Sequence, residues 1–249
     1  MGLCIGLAGK GGTGKTTIAG FLVKYLVENG KTPVLAVDAD SNSNLNEVLG
    51  LEIESTVSDA REEMKQKAPS MGMTKDIFIE MKINEALAEG KGFDLIAMGR
   101  PEGPGCYCAA NALLTEFLQK LIKNYPYVVI DNEAGMEHIS RLRAKEMDVL
   151  LVVSDPTVRG IEAAYRIVEL AKKLGFGIKK YYVIINRVKK DEKEIIKEVE
   201  KKNLTLAGMI PEDPLVYEFD LKGKALIEIP KDSSALREAY NIFDTIVSS

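Results

Sequence analysis

The stretch that most constrains this chain is Gly9-Lys10-Gly11-Gly12-Thr13-Gly14-Lys15-Thr16-Thr17, which follows the apolar run Leu3 to Ala8 and opens a helical pattern. It fits the phosphate-loop template Gly-x-x-x-x-Gly-Lys-[Ser/Thr] in the strand, loop, helix setting that the template requires. A polyphosphate carries several negative charges, and main-chain N–H groups can surround it only where no Cβ stands in the way. Gly9, Gly11, Gly12 and Gly14 leave that room. The loop, with Thr13 and Thr17 in it, then delivers the phosphates to the positive end of a helix dipole. Lys15 is placed for the β/γ oxygens and the Thr16 hydroxyl for Mg²⁺. The plainer alternative is a glycine-rich turn that merely joins strand to helix.

The 249 residues suffice for one large α/β domain spanning 1–249, and no composition shift divides them. Hydrophobic residues at 46% and charged residues at 28% are ordinary globular values, so a disordered chain is not expected. The net charge of -4 argues against nucleic acid as partner, because binding to phosphate backbones rewards an excess of Lys and Arg. No apolar run approaches the ~18 residues of a membrane span, and the N-terminus starts directly into a core strand, so no membrane partner is expected and the cytoplasm is the expected compartment. Three cysteines make no disulfide framework, in keeping with a reducing compartment.

Along the chain, apolar residues at Ile18, Phe21, Leu22, Tyr25 and Leu26 form one stripe of a helix from Lys15 to about Asn29, ended by Gly30. Pro33 to Val37 is a short strand that runs into Asp38-Ala39-Asp40-Ser41-Asn42. Leu45 to Ala88 reads as helices with connecting turns. Phe93 to Met98 is a buried strand, followed by a Gly- and Pro-rich loop through Cys108, and Asn111 to Asn124 is helical. Tyr127 to Ile130 is an all-apolar strand ending in Asp131. Asp148 to Val153, Tyr181 to Ile185 and Leu206 to Ile210 are further strands, alternating with helices at Gly160 to Leu174, Asp191 to Lys202 and Ser233 to Val247. Val-, Ile- and Leu-rich strands alternating with helices predict an α/β fold, a mostly parallel, doubly wound sheet covered by helices on both faces.

The loop carries a second lysine, Lys10, directly before Gly11-Gly12. It resembles the deviant phosphate-loop signature Lys-Gly-Gly-x-Gly-Lys-[Ser/Thr] of the MinD/ParA/nitrogenase-iron-protein class of ATPases. That resemblance implies two subunits closing face to face over ATP, with Lys10 reaching the partner's phosphates; a contact within its own subunit is the alternative. A cation supplied in trans stabilises charge on the transferring phosphoryl group and couples hydrolysis to dimerisation. The resemblance extends to Asp38 beside the Mg²⁺ shell and Asp40 as the carboxylate that positions or deprotonates the attacking water. It also makes Asp131 the holder of the Mg²⁺ hydration shell, with Gly135 letting the backbone approach the γ-phosphate. Asn186 and Arg187 then fall at the adenine, and Pro211 and Glu212 beside the base. For each aspartate, a strand-end carboxylate that caps a helix is the alternative.

Cys106 and Cys108 narrow the class. In an extended Cys-Tyr-Cys segment both sulfurs lie on one side, because side-chain direction alternates with period two. Two thiolates are too few for a closed site of about four ligands, but a two-fold dimer brings two pairs to one axis. Soft thiolates select Ni²⁺, Zn²⁺, Cu⁺ or iron–sulfur. Two inert cysteines are the alternative, against which the Gly/Pro-rich loop argues. Cys4, inside the first strand, reads as a small core residue. His138, the single histidine, is read as a surface or helix-start residue, with a third nickel ligand as the alternative.

The Lys-Gly-Gly loop, the mid-chain Cys-Tyr-Cys and Asp-Asn-Glu-Ala-Gly-Met-Glu-His together resemble the CooC family, nickel-inserting accessory ATPases for carbon monoxide dehydrogenase or acetyl-CoA synthase. The Asn132-Glu133 pair departs from that family's usual wording. The resemblance implies a homodimer, dependent on ATP or metal, that binds Ni²⁺, with Zn²⁺ as the alternative, through Cys106 and Cys108 and delivers it to a nickel enzyme. A MinD- or ParA-like positioning ATPase predicts instead a basic amphipathic C-terminal helix or a basic surface. An iron–sulfur ATPase resembling nitrogenase iron protein predicts cysteines farther apart than Cys-x-Cys. A monomeric small-molecule kinase leaves Lys10 and the cysteine pair without a role.

Overall fold

Strand β1 (Leu3–Gly9) lies inside an eight-stranded sheet of order β3-β4-β2-β5-β1-β6-β7-β8, in which every neighbouring pair is parallel except β3 with β4. The other strands are β2 (Val34–Asp38), β3 (Leu87–Glu89), β4 (Phe93–Ala97), β5 (Tyr127–Asp131), β6 (Val149–Ser154), β7 (Lys180–Val188) and β8 (Leu206–Pro211). The computed structural model describes residues 2–40, 44–66, 74–100, 116, 119–132, 147–175, 177–189 and 192–247. The helices are α1 (Lys15–Glu28), α2 (Leu45–Leu49), α3 (Val57–Gln66), α4 (Lys75–Glu85), α5 (Val158–Leu174), α6 (Glu192–Lys201), α7 (Pro214–Leu221) and α8 (Ser234–Val247), with a 3₁₀ turn at Leu226–Glu228.

Strands β2 and β6 are buried along their whole length, as expected of strands covered on both faces. Side chains alternate between two hydrophobic layers. Ile5 and Leu7 join Phe21, Leu22 and Leu26 of α1 and Leu236 and Phe243 of α8 on one face, whereas Cys4 and Ala8 join Ile161 and Val168 of α5 and Ile195 of α6 on the other. The expected doubly wound parallel sheet is therefore what the chain builds.

One expectation is corrected. Leu87 and Ala88, assigned to the helical stretch, belong to β3, an antiparallel edge strand on β4 with Leu87 opposite Ile96. Three residues carry too short a pattern to announce a strand. It forms because β4 offers it an open edge, and a tight turn returns the chain with the Gly90 N–H donating to the Phe93 carbonyl (2.8 Å). Of the helix expected at Asn111 to Asn124, residues 119–123 are helical and most of the remainder lies outside the described residues.

Register decides where the chemistry sits. Asp38 pairs with Asp131 across β2 and β5, and Asp131 pairs with Leu7 of β1, so the glycine loop and both strand-end aspartates emerge at the same carboxyl edge of the sheet. That edge is where parallel α/β sheets hold ligands.

Candidate nucleotide site

The loop between β1 and α1 is shaped by its glycines. Gly14 occupies the N-cap of α1 at φ +91° and supplies no side-chain acceptor, and the first turn contains no acidic residue. The first intrahelical bond runs from the Ile18 N–H to the Gly14 carbonyl (3.0 Å), which leaves the N–H groups of Lys15, Thr16 and Thr17 without helix acceptors. Three donors at the positive end of a helix dipole form an anion site. A Cβ on Gly9 would lie 2.3 Å from the Val153 carbonyl oxygen and one on Gly14 2.3 Å from Asn186 Nδ2, while Gly11 and Gly12 face open space. Two of the four glycines thus make room for the protein itself as well as for a ligand.

Thr13 is buried, and its hydroxyl donates to the Lys10 carbonyl (2.9 Å), closing the loop on itself. Lys15 is also buried, an expensive position for an ammonium group unless an anion joins it. Lys10 is exposed and lines a groove of about 560 Å³ together with Gly11 and with Val158, Arg159, Glu162 and Arg166 of α5.

Asp131, 2% exposed, receives a hydrogen bond from the Thr16 hydroxyl, while its Oδ1 has no partner. Burial pushes its carboxyl up to about 7; Thr16 and Lys15 oppose the rise, and the charges of Asp38 and Asp40 add to it. Asp38 is fully buried and is raised to about 6, first by burial. Its Oδ1 accepts the Asp40 N–H and its Oδ2 the Leu45 N–H, both at 3.0 Å. Asp38 therefore caps the start of α2, the alternative weighed for it, while lying beside Asp131. Asp40 is half-buried at the mouth of this cluster.

The donor set fits Mg²⁺. Magnesium takes one or two carboxylates together with substrate phosphates and retained waters, and Asp131 offers a buried, unpartnered oxygen next to the Thr16 hydroxyl. Among the described residues no three Cys, His, Asp or Glu side chains converge as a closed transition-metal site demands. Cys106, Cys108, Gly135 and His138, with Ser41 and Asn42, lie outside the described residues.

At the end of β7, Asn186 is buried and its Nδ2 donates to the Thr13 carbonyl (2.8 Å). Arg187 Nη1 donates to the Gly12 carbonyl (3.1 Å). Pro211 ends β8. The Glu212 N–H donates to the Val188 carbonyl (3.1 Å), and the Glu212 carboxylate pairs with Lys189 at 3.0 Å on the surface.

Two residues that sequence reasoning did not assign also hold this edge together. Asn132, noted only as a departure from a familiar motif, is 1% exposed and donates from Nδ2 to the Leu7 carbonyl (2.7 Å), tying the exit of β5 to β1. Asp213 accepts the Leu215 N–H (2.9 Å) at the start of α7 and the Ala235 N–H (3.0 Å) at the start of α8, as well as the Ser233 hydroxyl (2.7 Å). Asp213-Pro214 is the cap-then-proline pattern of a helix start and was a usable signal for α7. The bond to α8 had no local signal.

A carboxyl-edge glycine loop, an uncapped helix start, a buried lysine and a strand-end aspartate beside Thr16 define a P-loop nucleotide-binding protein. The chain belongs to the CobQ/CobB/MinD/ParA nucleotide-binding family of P-loop ATPases, matching that family's sequence model over residues 5–227. It is 41% identical to an uncharacterised ATP-binding protein of Methanocaldococcus jannaschii, covering 99% of both chains. It is 30% identical to the carbon monoxide dehydrogenase accessory protein CooC of Rhodospirillum rubrum, covering 90% of this chain and 89% of that one. Among solved structures, the cell-division ATPase MinD of Pyrococcus furiosus superposes with a TM-score of 0.73 at 21% identity, covering 100% of this chain and 99% of that one, a likeness of fold.

Proposed function

We propose that this chain is an ATP-driven metallochaperone. Two copies close over ATP, hold nickel on Cys106 and Cys108 of both subunits, and release it to a nickel enzyme such as carbon monoxide dehydrogenase when ATP is hydrolysed to ADP and phosphate. The observation that carries this reading is the Cys106-Tyr107-Cys108 pair in the same chain as the Lys10-Gly11-Gly12 loop, a combination for which a nucleotide switch alone has no use. The likeness to CooC supports it.

In this reading the free N–H groups at the start of α1 and the Lys15 ammonium bind the phosphates. Thr16 and Asp131 would hold Mg²⁺, which when bound neutralises charge on the phosphoryl oxygens. Asp40, at the mouth of the carboxylate cluster, orients the attacking water and accepts its proton. Lys10, exposed beside its groove, supplies a positive charge to the partner's nucleotide. Asn186, Arg187, Pro211 and Glu212 lie around the base. Separation of the subunits after hydrolysis breaks up the four-thiolate site and frees the metal.

The MinD/ParA-like alternative shares the family and the fold. It calls for a helix with its apolar face free to meet a membrane, or for a basic surface. In α8 the apolar stripe Leu236, Ala239, Ile242, Phe243 and Ile246 is buried against the sheet, and among the described residues no helix is long and apolar enough to cross a membrane.

Anaerobic nickel titration of the wild type, Cys106→Ala and Cys108→Ala with ATP and with ADP, followed by metal stoichiometry and oligomer size, tests the proposal. One Ni²⁺ per dimer is expected in the wild type with ATP and none in either variant. Undiminished nickel binding by both variants would remove the shared thiolate site, and a brown iron–sulfur chromophore would favour the electron-transfer alternative.

A further inference from the structure

Asn186 and Arg187, read above as neighbours of the base, meet the phosphate loop itself. The pairing of β7 with β8 shifts register between Ile185 and Val188, so the two residues ride on a strand irregularity of the kind that re-aims side chains beside functional sites. Arg187 adopts φ +60°, a left-handed conformation that a residue with a Cβ accepts only when its surroundings enforce it. From there Nη1 donates to the Gly12 carbonyl at 3.1 Å. The Arg187 backbone N–H donates to Asn186 Oδ1 (3.0 Å), which fixes the amide so that Nδ2 faces the Thr13 carbonyl at 2.8 Å. Gly14 leaves the space for this approach, since a Cβ there would lie 2.3 Å from Asn186 Nδ2.

In a trans peptide the carbonyl and the following N–H point in opposite directions. Holding the Gly12 and Thr13 carbonyls on the outer side of the loop therefore turns the next two amides away from β7. Of these, the Thr13 N–H closes the turn on the Lys10 carbonyl at 3.4 Å, and the Gly14 N–H joins the free amides at the start of α1.

We propose that Asn186 and Arg187 are positioning residues for the phosphate loop: by binding its Gly12 and Thr13 carbonyls they set the direction of its amides before any ligand arrives. The end of β7 then serves the phosphate end of the nucleotide as well as the base, and a change there is felt at both. This inference rests on the assignment of the loop as a nucleotide site.

A ligand with phosphates and no base separates the two roles. The experiment measures the affinity of the wild type, Asn186→Ala, Arg187→Ala and Arg187→Gly for inorganic tripolyphosphate and for ATP, both with Mg²⁺, with thermal unfolding recorded for each variant. Glycine accepts φ +60° without strain, so Arg187→Gly keeps the backbone while deleting the guanidinium. Tripolyphosphate binding is expected to weaken about fivefold or more in each variant, the scale of one net hydrogen bond. A loss in the neutral Asn186→Ala variant excludes a pure charge effect. Unchanged tripolyphosphate affinity in the variants, with ATP affinity unchanged or reduced, overturns the inference and leaves a base contact at most. Weakening confined to the two Arg187 variants also overturns it, assigning the effect to charge. If the wild type binds neither ligand, the nucleotide assignment itself falls.

Discussion

Replacing Asp131 by asparagine is expected to make the ligand-free protein more stable while abolishing its response to Mg²⁺. Burial raises this carboxyl to about 7 in the folded chain, against an ordinary value near 4 when unfolded. The folded state therefore holds the proton more tightly than the unfolded state, so stability is lost as pH rises through this window and the cost is complete above about pH 7. A rise of about three pH units corresponds to a ceiling of about 4 kcal/mol, at about 1.4 kcal/mol per unit. Asparagine carries no charge and escapes that cost, but its amide NH₂ occupies the place where Oδ1 finds no partner, which takes back about 1–3 kcal/mol. A net gain of about 1–3 kcal/mol remains, or roughly 3–10 °C in Tm for a chain of this size. The assay is thermal unfolding without nucleotide and with a chelator at pH 8, repeated at lower pH, where the advantage of Asp131→Asn shrinks and, once the charge cost is gone near pH 4, reverses to a deficit of about 1–3 kcal/mol left by the amide. Added Mg²⁺ and ATP should raise the Tm of the wild type and leave that of the variant little changed. A variant less stable than the wild type at pH 8 without Mg²⁺ would refute the reasoning, because it would mean that the ionised carboxylate is compensated in the empty fold.

Asp213→Ala removes the acceptor shared by the starts of α7 and α8 and is expected to cost about 2–3 kcal/mol, the scale of two helix caps, measured by chemical denaturation. Burial raises the Asp213 carboxyl, but the Ala235 N–H, the Ser233 hydroxyl and the Leu215 N–H outweigh it and hold the carboxyl below its ordinary value. Its contribution is therefore present above about pH 4 and fades as pH falls further, so the gap between wild type and variant should narrow in acid; a constant gap would contradict this. Lys10→Ala is expected to bind ATP with wild-type affinity yet lose the rise of turnover with protein concentration, and an unchanged concentration dependence would refute the in-trans role. Cys4 is buried and its thiol is pushed up to about 12, first by burial and then by Asp148, so iodoacetamide at pH 8 should spare it until the chain unfolds; modification of Cys4 in the native protein, read by peptide mass mapping, would contradict that.

Legibility in the sequence followed the range of the forces involved. The glycine loop, the Val/Ile-rich strands and the aspartates at their ends are local patterns, and they sufficed to predict the parallel sheet whose carboxyl edge carries the loop and both aspartates. Strand β3 was missed because its three residues become a strand only through the hydrogen bonds that β4 offers. Asp38 was weighed as a metal-shell residue or a cap, and whether its oxygens accept the Asp40 and Leu45 amides is settled by how the chain turns after β2. Asn132 read as a mere departure from a motif until its amide was found on the Leu7 carbonyl, 125 positions away.

Residue type and spacing encode backbone freedom, periodicity and ligand chemistry directly, so the phosphate-loop motif, the run of strands rich in Val and Ile and the Cys-x-Cys motif at Cys106 and Cys108 were all readable from the sequence. The tertiary structure alone sets one Asp131 oxygen against the Thr16 hydroxyl and leaves the other without a partner, turns Asp38 to cap α2, and closes Asn186 and Arg187 on the outer carbonyls of the loop. The Asp38 cap depends on how the chain turns after β2, whereas the other contacts depend on sheet order and register. Asn186 meets Thr13 at 2.8 Å across 173 positions, and short-range propensity carries no information about which distant group will be the partner of a buried one.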